Sequence, residues 1–413
     1  MGHLHRKWHV HETESLSRSH ATRLLGERLD HLHGRSTQST DRVDLRRAGG
    51  RVLAKHVEAP ADTPRFDRAT MDGFAFAAGD DGPLRVVDAV EPKDTPPDIA
   101  PGEAVEVTTG APLPDRADAV VMREHATVTD GRLSGPTLTP GTNVYPAGGT
   151  AAAGERLFAA GQRLAPRHVA LLRDVGVETV TVRERPSVAV VPTGTEIAEG
   201  REPDRDSDVL CNLLRRWGCR PSILDPVPDD AAAVRESVAA AAAAHDLVVT
   251  TGGTGAGRAD HVVDVLGEYD VAFDGVALRP GGSVVAATVD GTPVCGLPGK
   301  PIAAHTAATL LVGPALMGAS LAGTDRLPTV TTELASRVMV PEVDLEYAIP
   351  VTIDEGAIPF GHGDSALPLY DERFAPGRVS SSTRATLADG LVLTRSAIEA
   401  GDPVDVVPYE VIE

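Results

Sequence analysis

The glycine-rich run from Thr250 to Asp260, which reads TTGGTGAGRAD, has the clearest capacity for chemistry. It follows an apolar run that predicts a buried strand, and it precedes a segment that predicts a helix. Gly252, Gly253 and Gly257 let the backbone approach a ligand closely, and the exposed N–H groups can face an anion. Asp260 could hold Mg²⁺ or accept a hydrogen bond from an amine; a plain turn capped by this residue is the alternative. The spacing of Walker and dinucleotide-binding loops is missing.

A second loop, Pro192 to Glu196, leaves another predicted strand. Because the carboxyl ends of parallel strands meet at one edge of a sheet, we expect the two loops to form a crevice that Glu196 faces. A solvated surface glutamate is the alternative.

A third segment, Cys295 to Pro301, follows a short strand and opens a predicted helix with Pro301 in its first turn. Lys300 could bind a phosphate there, and Arg279 in a nearby turn could add a second cation. A structural turn with an exposed lysine is the alternative. Two other turns, Phe66 to Ala75 and Thr108 to Pro112, lie earlier in the chain and are also unusual. Each of them alone is more typical of a structural turn than of a functional one.

The elements that must position these loops indicate a mixed α/β multidomain protein. Strands alternating with helices over 186–325 predict a parallel sheet in a central α/β sandwich. Short apolar runs between Gly and Pro turns predict a β-rich domain over 62–154 and a small β-barrel or sandwich over 326–413. A helical and β linker domain is expected from 20–61 and 155–185, after a flexible histidine-rich terminus at 1–19.

Composition limits the possible partners. A chain of 413 residues is expected to form two to four domains, and its net charge of −20 argues against nucleic acid and anionic membranes as partners. The acidic excess with only four lysines favours a salt-adapted source; a GC-rich genome that prefers arginine is the alternative.

Three cysteines without C-x-x-C spacing, and the absence of an apolar stretch of membrane-spanning length, predict a cytoplasmic protein without disulfides or a zinc site. The histidines near the start of the chain could chelate a metal, but a flexible tail is the simpler interpretation.

From about residue 20 onwards, the ordered motifs resemble those of the molybdopterin molybdenumtransferase family, which includes the gephyrin E domain. The matching segments are Pro64 to Ala75, Thr109 to Pro114, Ala117 to Val121, Pro192 to Glu196, Thr251 to Asp260, Arg279 to Gly281 and Gly296 to Pro301. The resemblance implies a divergent member with a molybdopterin-binding α/β domain, and the acidic composition favours a haloarchaeal source. The resemblance also implies a homodimer in which Asp72 and Thr109 of one subunit approach the Glu196 and Asp260 crevice of the other.

The family's activity implies roles for individual residues. Adenylylated molybdopterin and molybdate (or tungstate) would be the substrates, Mg²⁺ the cofactor, and molybdopterin adenylyltransferase and apo-molybdoenzymes possible protein partners. The catalytic residues implied are Asp72, Glu196 and Asp260, with Glu196 and Asp260 as metal ligands. The substrate-binding residues implied are Thr109, Gly110, Thr193, Gly194, Asp246, Gly252, Gly253, Thr254, Gly257, Arg279, Pro280, Gly281, Pro298, Gly299, Lys300, Ser381 and Arg384.

This sequence departs from the family pattern at charged positions. The family's R-x-x-G-E-D segment is Tyr145 to Thr150 here, which removes the basic residue and the acid. The second lysine of K-P-G-K-P is Gly282, the asparagine of G-N-P is Lys300, and the C-terminal G-R-x-E-F segment is Asp344 to Tyr347 without its arginine. Because an oxyanion needs several donors and positive charge, these losses bear on activity.

Two hypotheses follow. One is an active transferase in which Arg279, Lys300 and Arg384 replace the usual cations. The other is a divergent paralogue that binds molybdopterin or a nucleotide as carrier, scaffold or regulator without inserting metal.

Overall fold

The computed structural model describes residues 16–35, 39–255, 261–317, 327–341, 343–363, 365 and 367–413. Most of the predicted histidine-rich terminus lies outside these residues, as do Gly257 and Asp260. The chain divides into two compact units, Thr40–Arg183 and the combination of 1–39 with 184–413. The finer five-part division stays a prediction.

No helix in the described ranges combines the length and apolar character that crossing a membrane requires.

Helix α1 (Arg18–Arg35) opens the described chain. Ala21, Leu25 and Leu29 recur every four residues and are buried, so they form one apolar face. This face packs in the same core cluster as the first strands of the α/β sheet.

The unit from 40 to 183 is mostly β-structure. Its elements are β1 (Thr40–Asp44), β2 (Val57–Glu58), β3 (Arg68–Ala69), β4 (Gly73–Phe76), β5 (Leu84–Val90), β6 (Glu103–Val107), β7 (Ala119–Met122), β8 (Thr127–Thr129), β9 (Arg132–Ser134), β10 (Val144–Tyr145), β11 (Arg156–Phe158), α2 (His168–Asp174) and β12 (Thr179–Arg183). Single 3₁₀ turns lie at Leu45–Arg47 and Arg123–His125.

Six of these strands form one sheet in the order β7-β4-β6-β5-β9-β8, and the others pair as β1-β12, β3-β10 and β2-β11. Successive side chains of a strand point to opposite faces. Accordingly, Phe74 and Phe76 of β4 pack on one side of the sheet and Ala75 on the other. Both faces are covered, which holds the turns at the strand ends in place.

The other unit contains an α/β sheet and a C-terminal sheet. The α/β part comprises β13 (Ser187–Pro192), α3 (Thr195–Ala198), α4 (Ser207–Arg216), β14 (Arg220–Ile223), α5 (Ala231–Ala244), β15 (Leu247–Thr251), α6 (His261–Leu266), β16 (Asp270–Asp274), β17 (Leu278–Arg279), β18 (Val285–Val289), β19 (Thr292–Leu297), α7 (Pro301–Ala307), a π-helical turn at Ala308–Val312, and α8 (Gly313–Met317).

The sheet order is β14-β13-β15-β19-β18-β16. Strand β13 is buried on both faces: Val188 and Val190 pack with α4, and Ala189 and Val191 pack with α5 and α6. Helices therefore cover both sides of the sheet, as in the predicted sandwich.

The predicted parallel sheet is present, but one of its strands is reversed. Strands β14, β13, β15 and β19 pair in parallel, but β18 runs antiparallel to both of its neighbours, β19 and β16. The cause is a two-residue turn of Asp290 and Gly291, both with positive φ, between β18 and β19. So short a connection can join only antiparallel neighbours.

The C-terminal sheet comprises β20 (Val330–Glu333), β21 (Glu346–Ile353), β22 (Ala357–Pro359), β23 (Gly390–Thr394) and β24 (Pro403–Pro408), with α9 (Pro376–Val379), a 3₁₀ turn at Thr383–Leu387 and α10 (Tyr409–Ile412). The order is β17-β21-β23-β24-β20, with β22 also on β21, and one bridge, Leu334 to Ala357, connects the two ends. The result is a partly closed barrel. Strand β17, from the α/β part, lies parallel to β21.

Candidate functional site

A pocket of about 790 Å³ lies where the parallel strands β13, β15 and β19 end. Its size is within the range of small-molecule sites. Each of the three strands delivers one of the loops singled out in the sequence. The strand loops contribute Thr193, Gly194, Glu196, Thr251, Gly252, Gly253, Thr254, Gly255, Pro298, Gly299 and Lys300; the turn after β17 contributes Arg279, Pro280, Gly281, Gly282 and Ser283; the remainder is Ile197, Asp206, Asp229, Ala303, Pro376, Gly377 and Ser380.

Glycines allow these loops to touch. Gly252 has φ +90°, and a Cβ there would lie 2.8 Å from the carbonyl oxygen of Thr193. A Cβ on Gly299 would lie 3.0 Å from Cα of Gly252. The three loops therefore press against one another through backbone, which brings main-chain groups to the pocket wall.

Two carboxylates face the pocket from the β13 side. Glu196 folds back over Gly194, whose Cβ, if present, would lie 2.8 Å from Oε1 of Glu196. Asp229 is fixed by a reciprocal pair: its Oδ2 accepts from the N–H of Thr195 at 3.0 Å, and its own N–H donates to the Thr195 hydroxyl at 3.0 Å. These oxygens can serve a hard cation.

The cations come from the opposite wall. Arg279 follows β17 and donates to the carbonyl of Leu278 at 2.9 Å, and a side chain at Gly282 would collide with its guanidinium. Lys300 precedes α7 and is exposed at the pocket. The loss of the family's lysine at Gly282 is thus linked to the position that Arg279 takes.

Asp206 also lines the pocket and is 7% exposed, and among the described residues none forms a hydrogen bond with its Oδ1. Burial raises the pKa of this carboxyl to about 6, and the neighbouring charge of Asp204 adds to the rise. Groups that lie in a cleft and have a strongly shifted pKa are common at functional sites.

Among the described residues of this unit that were predicted to bind substrate, Asp246, Ser381 and Arg384 do not line this pocket. Asp246 comes before β15, at the opposite edge of the sheet, where its Oδ2 accepts from the N–H and the hydroxyl of Ser187 at 2.8 and 2.6 Å. Since an acid that precedes a parallel strand lies at the far end from one that follows it, we exclude Asp246 from the proposed site. Ser381 donates to the carbonyl of Gly377, and Ser380 is the residue that reaches the pocket; Arg384 does not line it.

In the other unit, Asp72, Thr109 and Gly110 form one cluster. Oδ1 of Asp72 accepts from both the N–H and the hydroxyl of Thr109 at 2.7 Å. These hydrogen bonds hold the pKa of Asp72 below its usual value, with a further contribution from Arg123. The carbonyl of Gly110 accepts from Arg68. Asp72 is therefore an exposed, ionised carboxylate in a fixed orientation.

The replaced family segment has its own contacts. The hydroxyl groups of Tyr145 and Thr150 lie 2.9 Å apart and hydrogen-bond. A Cβ on Gly149 would lie 3.1 Å from Cζ of Tyr145. A neutral pair thus stands where the family carries an arginine and an acid, and the residue between them leaves space for the tyrosine ring.

The sequence interpretation missed Asp206 and Asp229. Asp229 follows β14, which carries only one strongly apolar residue and a proline, so the strand itself was not predicted. The one signal in the sequence was Val227, an apolar residue two positions before the acid. In the structure Val227 forms a parallel β-bridge with Thr193. Asp206 lies in the polar run RDSD, which is typical of a solvated surface.

Two family models match this chain. The MoeA N-terminal region (domain I and II) matches residues 10–176, and a probable molybdopterin binding domain matches 189–318. The molybdopterin molybdenumtransferase of Staphylococcus aureus (strain MSSA476) is 30% identical over 293 residues, which is 66% of this chain and 70% of that protein. The Nostoc protein of the same name is 32% identical, over 65% of this chain and 66% of its own length.

Two solved structures are similar to this chain. A molybdopterin biosynthesis MoeA protein from Pyrococcus horikoshii has 29% sequence identity and a TM-score of 0.69, covering 93% of this chain and 98% of that one. A second structure of a MoeA protein from Pyrococcus horikoshii has a TM-score of 0.74 at 22% identity, covers 96% of this chain and all of its own, and supports the fold alone. With three glycine loops at one sheet edge and relatives of this similarity, the chain belongs to the molybdopterin molybdenumtransferase family of enzymes.

Proposed function

We propose that this chain inserts molybdate, or tungstate, into adenylylated molybdopterin with release of AMP. The observation that carries the proposal is one pocket with main-chain loops, two cations (Arg279 and Lys300) and a carboxylate, Glu196, around it. The cations and loop N–H groups suit the phosphates of the substrate and the oxyanion. Glu196, Thr193 and Thr254 are among the further polar residues that line the pocket.

Mg²⁺ fits the oxygen donors Glu196 and Asp229. Protein sites for this ion often supply only one or two carboxylates, and water and substrate phosphates complete the shell. Asp260, the other predicted ligand, lies outside the described residues, and within the described ranges no group of three or more His, Cys, Asp or Glu residues could hold a metal. When bound, Mg²⁺ would offset negative charge on the pyrophosphate.

The activity assay uses purified protein, adenylylated molybdopterin, Mg²⁺ and molybdate in high-salt buffer. AMP release together with activation of an apo-molybdoenzyme is the expected result. Glu196→Gln should abolish AMP release, while Glu199→Gln, an exposed neighbour outside the pocket, should not. Substrate binding without AMP from the unmodified protein would contradict the proposal.

The second candidate is a non-inserting paralogue that carries molybdopterin or a nucleotide. The neutral Tyr145 and Thr150 pair favours it, because a charged pair of the family is lost. Binding without AMP release is the result that would select this candidate.

We also propose a homodimer in which Asp72 and Thr109 of one subunit serve the pocket of its partner. Mixing Asp72→Asn chains with Glu196→Gln chains tests this arrangement. Half of the dimers are then mixed and each has one intact site, so about a quarter of full activity should return. No recovery would mean that the two residues act within one subunit. Interactions with molybdopterin adenylyltransferase and apo-molybdoenzymes, and a cytoplasmic location, belong to the same proposal.

A further inference from the structure

Asp206 immediately precedes α4, at a position where an aspartate usually caps the helix. Such a side chain normally accepts from the N–H groups of the first turn. Here Asp206 makes no capping hydrogen bond. Instead, Oδ1 of Asp204 accepts from the N–H groups of Asp206 and Ser207 at 3.0 and 3.1 Å. Asp204 therefore takes the capping role, and the Asp206 carboxylate does not cap the helix.

A buried carboxylate without a partner destabilises a protein. Asp206 is 93% buried, by its 7% exposure, and no hydrogen bond to its Oδ1 exists within the described residues. It nevertheless borders the pocket. The simplest reason to keep it is a ligand that supplies the missing donors.

The ligand group follows from the chemistry of a carboxylate. When ionised it accepts only, through two oxygens side by side, so its complement is a pair of adjacent N–H donors. A pterin presents such a pair, its 2-amino group and N3–H. Adenine presents an amino group beside N1, which is an acceptor and would face a carboxylate oxygen unfavourably. The pterin is thus the better match within the proposed substrate.

We propose that Asp206 is the specificity-determining residue that recognises the aminopyrimidinone edge of the pterin. This inference rests on the proposed function, which puts a pterin in this pocket. It assigns the β13 and α4 side of the pocket to the ring and leaves Arg279 and Lys300 on the opposite wall for the phosphates.

The test compares two fluorescent probes, 6-hydroxymethylpterin and 6-hydroxymethyllumazine, in which a carbonyl replaces the 2-amino group. Fluorescence titration near pH 7 gives Kd for both probes with the unmodified protein, Asp206→Asn and Asp208→Asn. Asp208 lies two residues further along the same helix, is exposed and does not line the pocket, so it is the matched control.

The unmodified protein and Asp208→Asn should prefer the pterin by about tenfold or more, because a site built for N–H donors rejects an analogue that lacks one. Asp206→Asn should reverse the preference, because its amide donates to the lumazine carbonyl and accepts from N3–H. Thermal unfolding of each variant shows that it is folded.

An unchanged probe ratio in Asp206→Asn, equal binding of both probes by the unmodified protein, or no binding of either would overturn the inference. Parallel AMP-release assays separate the two proposals. AMP release with an unchanged ratio rejects only the role of Asp206, whereas a reversed ratio without AMP release rejects only the transferase activity.

Discussion

At the scale of single residues, the pocket shows how one substitution constrains another. The guanidinium of Arg279 takes the space that a side chain at Gly282 would need, and carbonyl oxygens of Val276 and Leu278 lie there too. Reintroducing the family's lysine at Gly282 would therefore displace Arg279 and would not add a second cation. The residues at positions 279 and 282 therefore cannot be changed independently.

Gly282→Ala should lower the free energy of unfolding by about 1–3 kcal/mol, the usual cost of overpacking. It should also reduce AMP release by moving Arg279. Gly377→Ala is the control, since Gly377 lines the same pocket and a Cβ there meets nothing within 4 Å. Urea unfolding of both variants checks the prediction, and equal stabilities would refute it.

The buried carboxyl of Asp206 gives stability a definite pH dependence. Its pKa in the folded protein, about 6, exceeds the ordinary value of 3.8. Because its pKa is raised in the folded protein, this carboxyl contributes stability that is fully present below the pKa of the unfolded chain. That stability is lost as pH rises through about 6. An amide does not titrate in this range, so a variant with an amide at this position does not lose stability as the pH rises.

Asp206→Asn should therefore match the unmodified protein near pH 4 and exceed its stability at pH 7.5, by at most about 3 kcal/mol. Urea unfolding across this range provides the measurement. Asp208→Asn should show no such trend, and an Asp206→Asn difference that stays flat with pH would disprove the expectation.

At the scale of elements, the sequence predicted the three loops because each glycine-rich run follows an apolar strand. It predicted their common edge because β13, β15 and β19 are parallel. The acids that sequence reasoning missed depend on tertiary context. Asp206 lies in a polar stretch of sequence and yet is buried, and β14 is an edge strand whose composition does not reveal it.

The contact between loops makes Gly252 sensitive to any side chain. Gly252→Ala should raise KM for adenylylated molybdopterin at least about tenfold, because a Cβ at 2.8 Å from the Thr193 carbonyl forces the loops apart. Gly200→Ala is the matched control: φ is +68°, also positive, but a Cβ there has open space. Steady-state kinetics of both variants provide the measurement, and similar KM values would show that the contact with Thr193 does not govern substrate binding.

At the scale of the whole molecule, the large net negative charge is expected to govern how stability depends on salt. The chain has 59 acidic and 39 basic residues, which gives a net charge of −20. Ion pairs such as Arg23 with Glu27 and Arg201 with Glu199 are on the surface, where each contributes little. Repulsion among the excess carboxylates should therefore outweigh these pairs at low ionic strength.

Raising KCl from about 0.1 M to 1 M shortens the screening length from about 10 Å to 3 Å, so stability should rise. Thermal unfolding across this range is the measurement. Sucrose at the same water activity tests whether exclusion from the surface explains the effect instead of screening. A melting temperature that falls or stays constant with KCl would show that charge repulsion does not govern stability at low salt.

Strand β17 has a consequence for how such a protein can evolve. It holds Arg279 at the pocket, yet its hydrogen-bonded neighbour is β21, so that Arg279 pairs in register with Tyr347. Exchange of the segment after residue 326 between paralogues would replace the strand against which Arg279 is aligned. Recombination at that boundary would thus misplace the cation, so the two segments must diverge together.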